Sequence, residues 1–460
     1  MFFKSILVSG LIPLALGKVQ FMGMNIAGLD FGCAIDGTCP ISSAQAPLST
    51  LGGADGLGQM QHFVNDDQMN IFRLPVSWQF LLNNQLGGAL DPTNFGKYDK
   101  LMQACLSTGT YCAIDIHNFA RWNGQIIGQS SGVTDAQFTS LWTQLATKYA
   151  GSTKVIFGIM NEPHDLDVPT WANTVQTVVT AIRTAGASSQ MILMPGTNFA
   201  SAGQFVSSGS ADALLKVTNP DGSTTGLIFD LHKYLDIDNS GTHTNCTTDN
   251  IDDAFAIAAN YLRTNSRQGL VSETGAGGTP SCFTDFCAQN TFLNQNSDVF
   301  LGYIAWAAGS FATSYILSLT PSKQNGKFVD NALASQCVIS PWVNAGTAII
   351  TSSIPSATSS LTATSPSIAT SAPTGTSDAG IVTAAPSSTV GVFGSSPSTT
   401  VTLANTFGTD NSSATAPSNF SVLSFPTASP TGTIITSGAG TRQYAGGLLA
   451  SSLFLALILL

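Results

Sequence analysis

The chain is nearly devoid of glutamate. Of 26 acidic residues in 460, only Glu162 and Glu273 are glutamate, and the others are aspartate. Basic residues are also scarce. There are 16, they form no cluster, and the net charge is −10, which excludes nucleic acid and anionic polymers as partners and favours a neutral substrate. No Cys-x-x-Cys occurs among the eight cysteines and only five histidines are present, so the zinc-ligand pattern is missing and no metal is expected. The glycines of Gly52-Gly53-Ala-Asp-Gly56-Leu-Gly58 lack a following Lys-Ser/Thr pair. They read as a loop, and no phosphate-binding fingerprint follows the first strand-like run.

Composition divides what is there. Residues 1–17 form a secretory leader, with Lys4, an apolar stretch from Ile6 to Leu16 and a small-residue cleavage site at Ala15-Leu16-Gly17. That stretch is too short to span a bilayer. Export fits the even number of cysteines, which argues for disulfides. Cys33/Cys39 and Cys105/Cys112 can close small local loops. Spacing alone leaves the pairing of Cys246, Cys282, Cys287 and Cys337 open.

Eight strand-like runs recur at intervals of about 30 to 50 residues between Lys18 and Trp342. They are Phe21–Asp30, Asn70–Trp78, Tyr111–Asn118, Val155–Glu162, Met191–Asn198, Leu227–Tyr234, Gly269–Thr274 and Phe300–Gly309. Several are apolar on both alternations, as strands buried on both faces of a parallel sheet are. Helical patterns lie between them, for example Asp135 to Tyr149 and Thr170 to Arg183. Eight β-then-α units predict an α/β fold, a (β/α)8 TIM barrel over residues 18–342.

Both glutamates stand where an apolar run turns polar, in Gly158-Ile-Met-Asn161-Glu162-Pro163 and Gly269-Leu-Val-Ser-Glu273-Thr-Gly275. A barrel presents its active site at the C-terminal ends of its strands, so the two are a candidate catalytic pair. Two carboxylates flanking a glycosidic bond can do acid and nucleophile work on an uncharged sugar polymer without a cofactor. Other strand ends carry matching chemistry. Arg73 can stabilise an ionised carboxylate, and Tyr234 can hydrogen-bond it. Asn161 can hold a sugar hydroxyl, and Trp306 offers a flat apolar face to a pyranose ring. His117 and His232 complete the set.

Larger segments make a resemblance specific. They include Asn25-Ile-Ala-Gly-Leu-Asp-Phe-Gly-Cys33, Asp115-Ile-His-Asn-Phe-Ala-Arg-Trp-Asn-Gly124 and Gly158-Ile-Met-Asn-Glu-Pro-His-Asp165. Phe229-Asp-Leu-His-Lys-Tyr-Leu-Asp236, Asn239-Ser-Gly-Thr-His-Thr-Asn-Cys246 and Glu273-Thr-Gly275 follow. Over residues 20–340 the chain resembles glycoside hydrolase family 5, in particular its fungal endo-β-1,4-glucanases. The resemblance implies a (β/α)8 barrel and a retaining mechanism, with Glu162 as general acid/base and Glu273 as nucleophile. It places Arg73, His117, Asn161, His232, Tyr234 and Trp306 at supporting and substrate-binding positions. It also favours bridges Cys33–Cys39, Cys105–Cys112, Cys246–Cys282 and Cys287–Cys337. The implied partner is a β-glucan, bound by a monomer. Another β-glycan (β-1,3-glucan or β-mannan) is the alternative substrate. A wall protein that binds glycan without cleaving it is the alternative from a different class.

The chain departs from many secreted relatives at its C-terminus, where no cysteine-rich cellulose-binding module appears. Between Trp342 and Arg442 there is no Lys, Arg, Glu, His or Cys, and only Asp378 and Asp410 are charged. The Ser, Thr, Ala and Pro that dominate cannot bury enough apolar surface to offset ordering entropy, so residues 343–437 read as an extended, O-glycosylated stalk. Asn411 and Asn419 add N-glycosylation sequons. Small residues at Ser437-Gly438-Ala439, a polar spacer and the apolar Leu448–Leu460 have the layout of a GPI-attachment signal over 438–460, with Ser437 or Gly438 as the attachment residue. The expected location is the cell surface or wall. Phosphatidylinositol-specific phospholipase C should therefore release the protein from membranes; retention after treatment would rule out the anchor.

Overall fold

The computed structural model describes residues 17–345. The leader up to residue 16, nearly all of the stalk with its two sequons, and the anchor signal lie outside the described residues. Eight strands form the frame: β1 (Phe21–Ala27), β2 (Ile71–Val76), β3 (Tyr111–Ile116), β4 (Val155–Gly158), β5 (Ile192–Pro195), β6 (Leu227–His232), β7 (Gly269–Thr274) and β8 (Phe300–Gly309). Each pairs in parallel with its sequence neighbours, and β1 closes the ring on β8. This is the expected (β/α)8 barrel.

Alternation within the strands separates three environments. One set of side chains points into the barrel and packs as a floor: Phe21, Ile71, Ala113, Ile156, Leu193, Ile228, Leu270 and Leu301, one from each strand. The intervening residues, such as Phe72, Leu74, Ile114, Phe157 and Val271, point outward and join the apolar faces of the surrounding helices. Two residues beyond the floor, on the same inner face, the side chains become polar: Arg73 follows Ile71, Asp115 follows Ala113, Asp230 follows Ile228 and Ser272 follows Leu270. A dry floor thus supports a buried polar layer, and the reacting groups stand on that layer.

Most of the expected strands end sooner than their apolar runs. The fourth stops at Gly158, because Asn161 turns its N–H to the Ile116 carbonyl (2.8 Å) and Pro163 has no N–H to offer a ladder. Ile159 and Met160 remain buried, so composition still looks strand-like there. The helix expected from Thr170 begins earlier, as Val168–Thr184, because the Asp167 carboxylate caps it by accepting from Thr170 N (2.9 Å). The glycine-rich stretch is only partly a loop. Gly56 and Gly58 open the helix Gly56–Asn65 (α1), which Asp55 caps through Gly58 N. The helix Asp135–Tyr149 has a full capping box between Thr134 and Gln137.

All eight cysteines are bridged: Cys33–Cys39, Cys105–Cys112, Cys246–Cys282 and Cys287–Cys337. The last spans 50 residues. Closing a loop of that length removes roughly 4 kcal/mol of unfolded-state entropy.

Strands β1 and β2 approach too closely at Gly23 for any side chain, since a Cβ there would lie 1.8 Å from the Ile71 carbonyl oxygen. Neither backbone can retreat without opening the barrel. Gly23→Ala is expected to lower stability by about 2 kcal/mol or more, read as a fall in the urea midpoint at unchanged slope.

Candidate active site

The polar layer is organised around Arg73, whose side chain is 2% exposed. Strand β2 delivers it to the barrel axis. One guanidinium nitrogen donates to Asn25 Oδ1 (2.9 Å) and Glu273 Oε2 (2.5 Å). Another donates to Asn161 Oδ1 (2.7 Å) and pairs with Asp115 Oδ2 (3.0 Å). Arg73 therefore ties β1, β3, β7 and the loop after β4 to one planar group.

Glu273 sits in β7 with a donor on each oxygen, since Tyr234 OH donates to Oε1 at 2.7 Å. Burial alone would raise its pKa. The positive charges of His232, Arg73 and His117, with the tyrosine hydroxyl, outweigh burial and hold it below the ordinary carboxylate value. Glu162 is treated differently. It lies in the loop after β4 with a left-handed backbone (φ 42°), and its Oε1 is 2.9 Å from His232 Nδ1. His232 is held from its other side by Ser272 Oγ (3.0 Å). Burial raises the Glu162 pKa, and the charge of Glu273 adds to it against the opposing effect of the histidine. Their surroundings thus push the two carboxyl pKa values apart, Glu162 up and Glu273 down.

The spacing of the pair is informative. One oxygen of Glu162 and one of Glu273 lie within 4.8 Å of each other and of a His232 ring nitrogen. Retaining glycosidases hold their carboxyl groups about 5–5.5 Å apart, whereas inverting ones need about 6.5–9.5 Å to admit water. These three residues have the donor types of a metal site, but Glu162 and His232 already engage each other, and Arg73 and Tyr234 engage the two Glu273 oxygens.

His117 follows β3 and directs Nδ1 to Asp115 Oδ2 (2.8 Å). Burial works against its charge, but Asp115 prevails and pushes the pKa to about 9, so the ring is an imidazolium near neutrality. The ring stacks on Trp306 (5.6 Å between centroids, 16° between planes). Trp306 Nε1 donates to Tyr315 OH (3.4 Å), and Tyr315 stacks on Phe311. All eight residues singled out from sequence thus converge on one end of the barrel. Sequence reasoning gave no role to Asn25, Asp115, Ser272, Phe311 or Tyr315. A signal for Asp115 existed: it lies two residues before His117 in one strand-like run, and so on the same face.

Comparison with known proteins decides the family. The cellulase (glycosyl hydrolase family 5) profile matches residues 36–309. The chain belongs to glycosyl hydrolase family 5. Endoglucanase EG-II of Hypocrea jecorina is 61% identical over 324 residues, covering 70% of this chain and 77% of that protein. Endoglucanase 1 of Saitozyma flava is 48% identical over 313 residues, covering 68% and 86%. The crystal structure of Cel5A (EG2) from Hypocrea jecorina superposes with a TM-score of 0.69 at 60% identity, covering 70% of this chain and 99% of that one. The family and its endoglucanase relatives make this chain a glycoside hydrolase.

Because the chain has only two glutamates, 13C labelling of glutamate gives two carboxyl signals. One should titrate above 4.5 and the other below. In Glu273→Gln the remaining signal should move down, because the charge that helps to raise Glu162 is gone. An unmoved signal would show that Glu273 does not set the Glu162 pKa.

Proposed function

We propose that this chain is a retaining endo-β-1,4-glucanase that cuts internal bonds of cellulose-like β-glucans, with Glu273 as nucleophile and Glu162 as general acid/base. The observation that carries this reading is the close pair of carboxyl groups whose surroundings push their pKa values apart. In the first displacement a Glu273 oxygen bonds to the anomeric carbon while Glu162 gives its proton to the departing glycosidic oxygen. In the second, Glu162 takes a proton from water, which attacks the same carbon and frees Glu273 with configuration retained. The cellulase profile and the endoglucanase names of both relatives together favour β-1,4-glucan over β-1,3-glucan or β-mannan.

The supporting residues have separable tasks. Arg73 accounts for one Glu273 oxygen and Tyr234 for the other, so the nucleophile stays ionised and aimed. Arg73 also fixes the Asn161 amide with its oxygen inward, leaving Nδ2 3.4 Å from His117 Nε2. With His117 protonated, both nitrogens are donors. They form a notch for one sugar hydroxyl rather than bonding to each other. Trp306 supplies the apolar face for a pyranose ring.

No cofactor enters this cycle. The leader at 1–17 and the four disulfides support export, and the segments at 343–437 and 438–460 support a wall-facing tether acting on β-glucan as a monomer.

Activity should climb with pH as Glu273 ionises below 4.5 and decline as Glu162 ionises above it. Reducing-end release should occur on carboxymethylcellulose and mixed-linkage glucan, and not on laminarin or mannan. Glu273→Ala should lower it by at least about a thousandfold without unfolding the barrel. Activity on laminarin or mannan alone would move the substrate and keep the mechanism. A folded protein silent on all four would turn the reading to glycan binding.

A further inference from the structure

A second cluster of ionisable groups lies away from the barrel mouth. His62 is in the last turn of α1, and Asp66 and Asp67 follow that helix directly. This end of α1 leads into the N-terminal end of β2, whereas the active site is at the strands' C-terminal ends. Asp330 comes from a distant segment, just after a small hairpin of Ser322–Gln324 and Lys327–Val329. The His62 ring brings them together. Its Nδ1 lies 2.6 Å from Asp66 Oδ2, while its Nε2 lies 3.1 Å from Asp330 Oδ2 and 3.7 Å from Asp67 Oδ2.

Three features set this apart from an ordinary surface ion pair. The His62, Asp67 and Asp330 side chains are only 8%, 10% and 10% exposed. Asp67 Oδ2 and Asp330 Oδ1 are buried without a donor from any other side chain or the backbone, an arrangement that costs free energy unless a bound cation or a shared proton satisfies it. No lysine or arginine ion-pairs with these carboxylates among the described residues, and the nearby Lys323 is committed to Asp55. The third feature is the orientation of the ring. With Nδ1–H donating to the exposed Asp66, Nε2 faces two carboxylates, a position that either a second ring proton or a bound cation satisfies. A carboxylate behind the imidazole, with the far nitrogen aimed at other ligands, is how metal-binding histidines are oriented.

We propose that His62 Nε2, Asp67 and Asp330 bind one divalent transition-metal cation of the zinc or manganese kind. The three donor atoms all lie within 4.8 Å of one another. The separations of 3.1 and 3.7 Å from His62 Nε2 bracket the roughly 3.3 Å edge of a tetrahedron with metal–ligand bonds near 2.0–2.1 Å. One imidazole with two carboxylates suits zinc or manganese better than calcium or magnesium, which prefer oxygen alone. The cation joins Asp330 to the end of α1. It thereby pins the segment that leaves β8, passes through Phe311 and Tyr315 beside Trp306, and runs along α1 through the Lys323–Asp55 pair. Its role is to hold that strap in place, outside the chemistry of Glu162 and Glu273.

The test uses the full chain, stripped with chelator and dialysed against micromolar zinc(II) or manganese(II), with calcium(II) in parallel. Bound metal is counted by mass spectrometry, and the melting temperature is read with and without metal. One equivalent of zinc or manganese per chain is expected, with a melting temperature several degrees higher. Asp67→Asn and Asp330→Asn should each lose both effects and keep the metal-free rate on carboxymethylcellulose. Less than about a tenth of an equivalent in the unaltered chain would overturn the proposal and leave a protonated His62 as the cation. An undiminished equivalent in both variants would overturn it as well. Should neither variant fold, chains carrying Glu162→Gln or His243→Ala decide the matter, because each disables another His–carboxylate cluster. The proposal requires both to keep the full equivalent, and loss in either assigns the metal elsewhere.

Discussion

A guanidinium with almost no contact with water is the constraint on which the rest of this site depends. Burying Arg73 would cost several kcal/mol if its charge were unmet. The structure meets it with two carboxylates and two amide oxygens, and those four partners come from β1, β3, β7 and the loop after β4. The same contacts that make the arginine tolerable also fix Glu273, the amide beside it and the aspartate behind His117. Stability and geometry are therefore not separate here. Replacing Arg73 would leave Glu273 with Tyr234 and Asp115 with His117 as their remaining close partners, so the barrel would resist the change before catalysis was considered.

The charge pattern follows from this arrangement. Asp115 and Glu273, next to the arginine and the two histidines, are held below their ordinary pKa values. Asp30 and Asp230 are as deeply placed but make no ion pair with the arginine, Glu162 faces one histidine alone, and burial raises all three. With His117 protonated, the centre of the layer approaches neutrality. These five carboxyl groups thus divide into a pair held below the ordinary carboxylate range and a trio pushed above it, according to whether each pairs with Arg73. The fold can keep an acid and a base side by side because it has only enough positive charge for some of them.

Much of this was legible in the sequence, and what was not has identifiable causes. The eight strands were readable because residues facing the floor and residues facing the helices are both apolar. The same continuity hid where strands end, since Leu29, Ile159, Met160 and Leu235 stay buried in loops. The glutamates stood out by rarity, and Arg73, His117, His232, Tyr234 and Trp306 by their place at run ends. The supports were harder to see. Ser272 and Asn25 are ordinary residue types that matter only because the ring closes and brings β7 and β1 beside Arg73 and His232. Asp330 is harder still, since nothing local connects it to His62.

The two catalytic candidates differ in how firmly each is held, and the difference suits their roles in the proposed cycle. Glu273 has a donor on each oxygen, from groups that are themselves buried, so its charge and direction are both set before substrate arrives. Glu162 has one anchor, His232, and its raised pKa depends partly on the negative charge of Glu273. That charge disappears when Glu273 becomes an ester. The group that was kept protonated to serve as acid then loses one of the reasons to keep its next proton, and His232 still favours its ionised form. Glu162 can in this way turn from acid to base without moving, because its pKa answers to the covalent state of its neighbour. A firmly paired carboxylate could not make that change, which is why only one member of the pair faces Arg73.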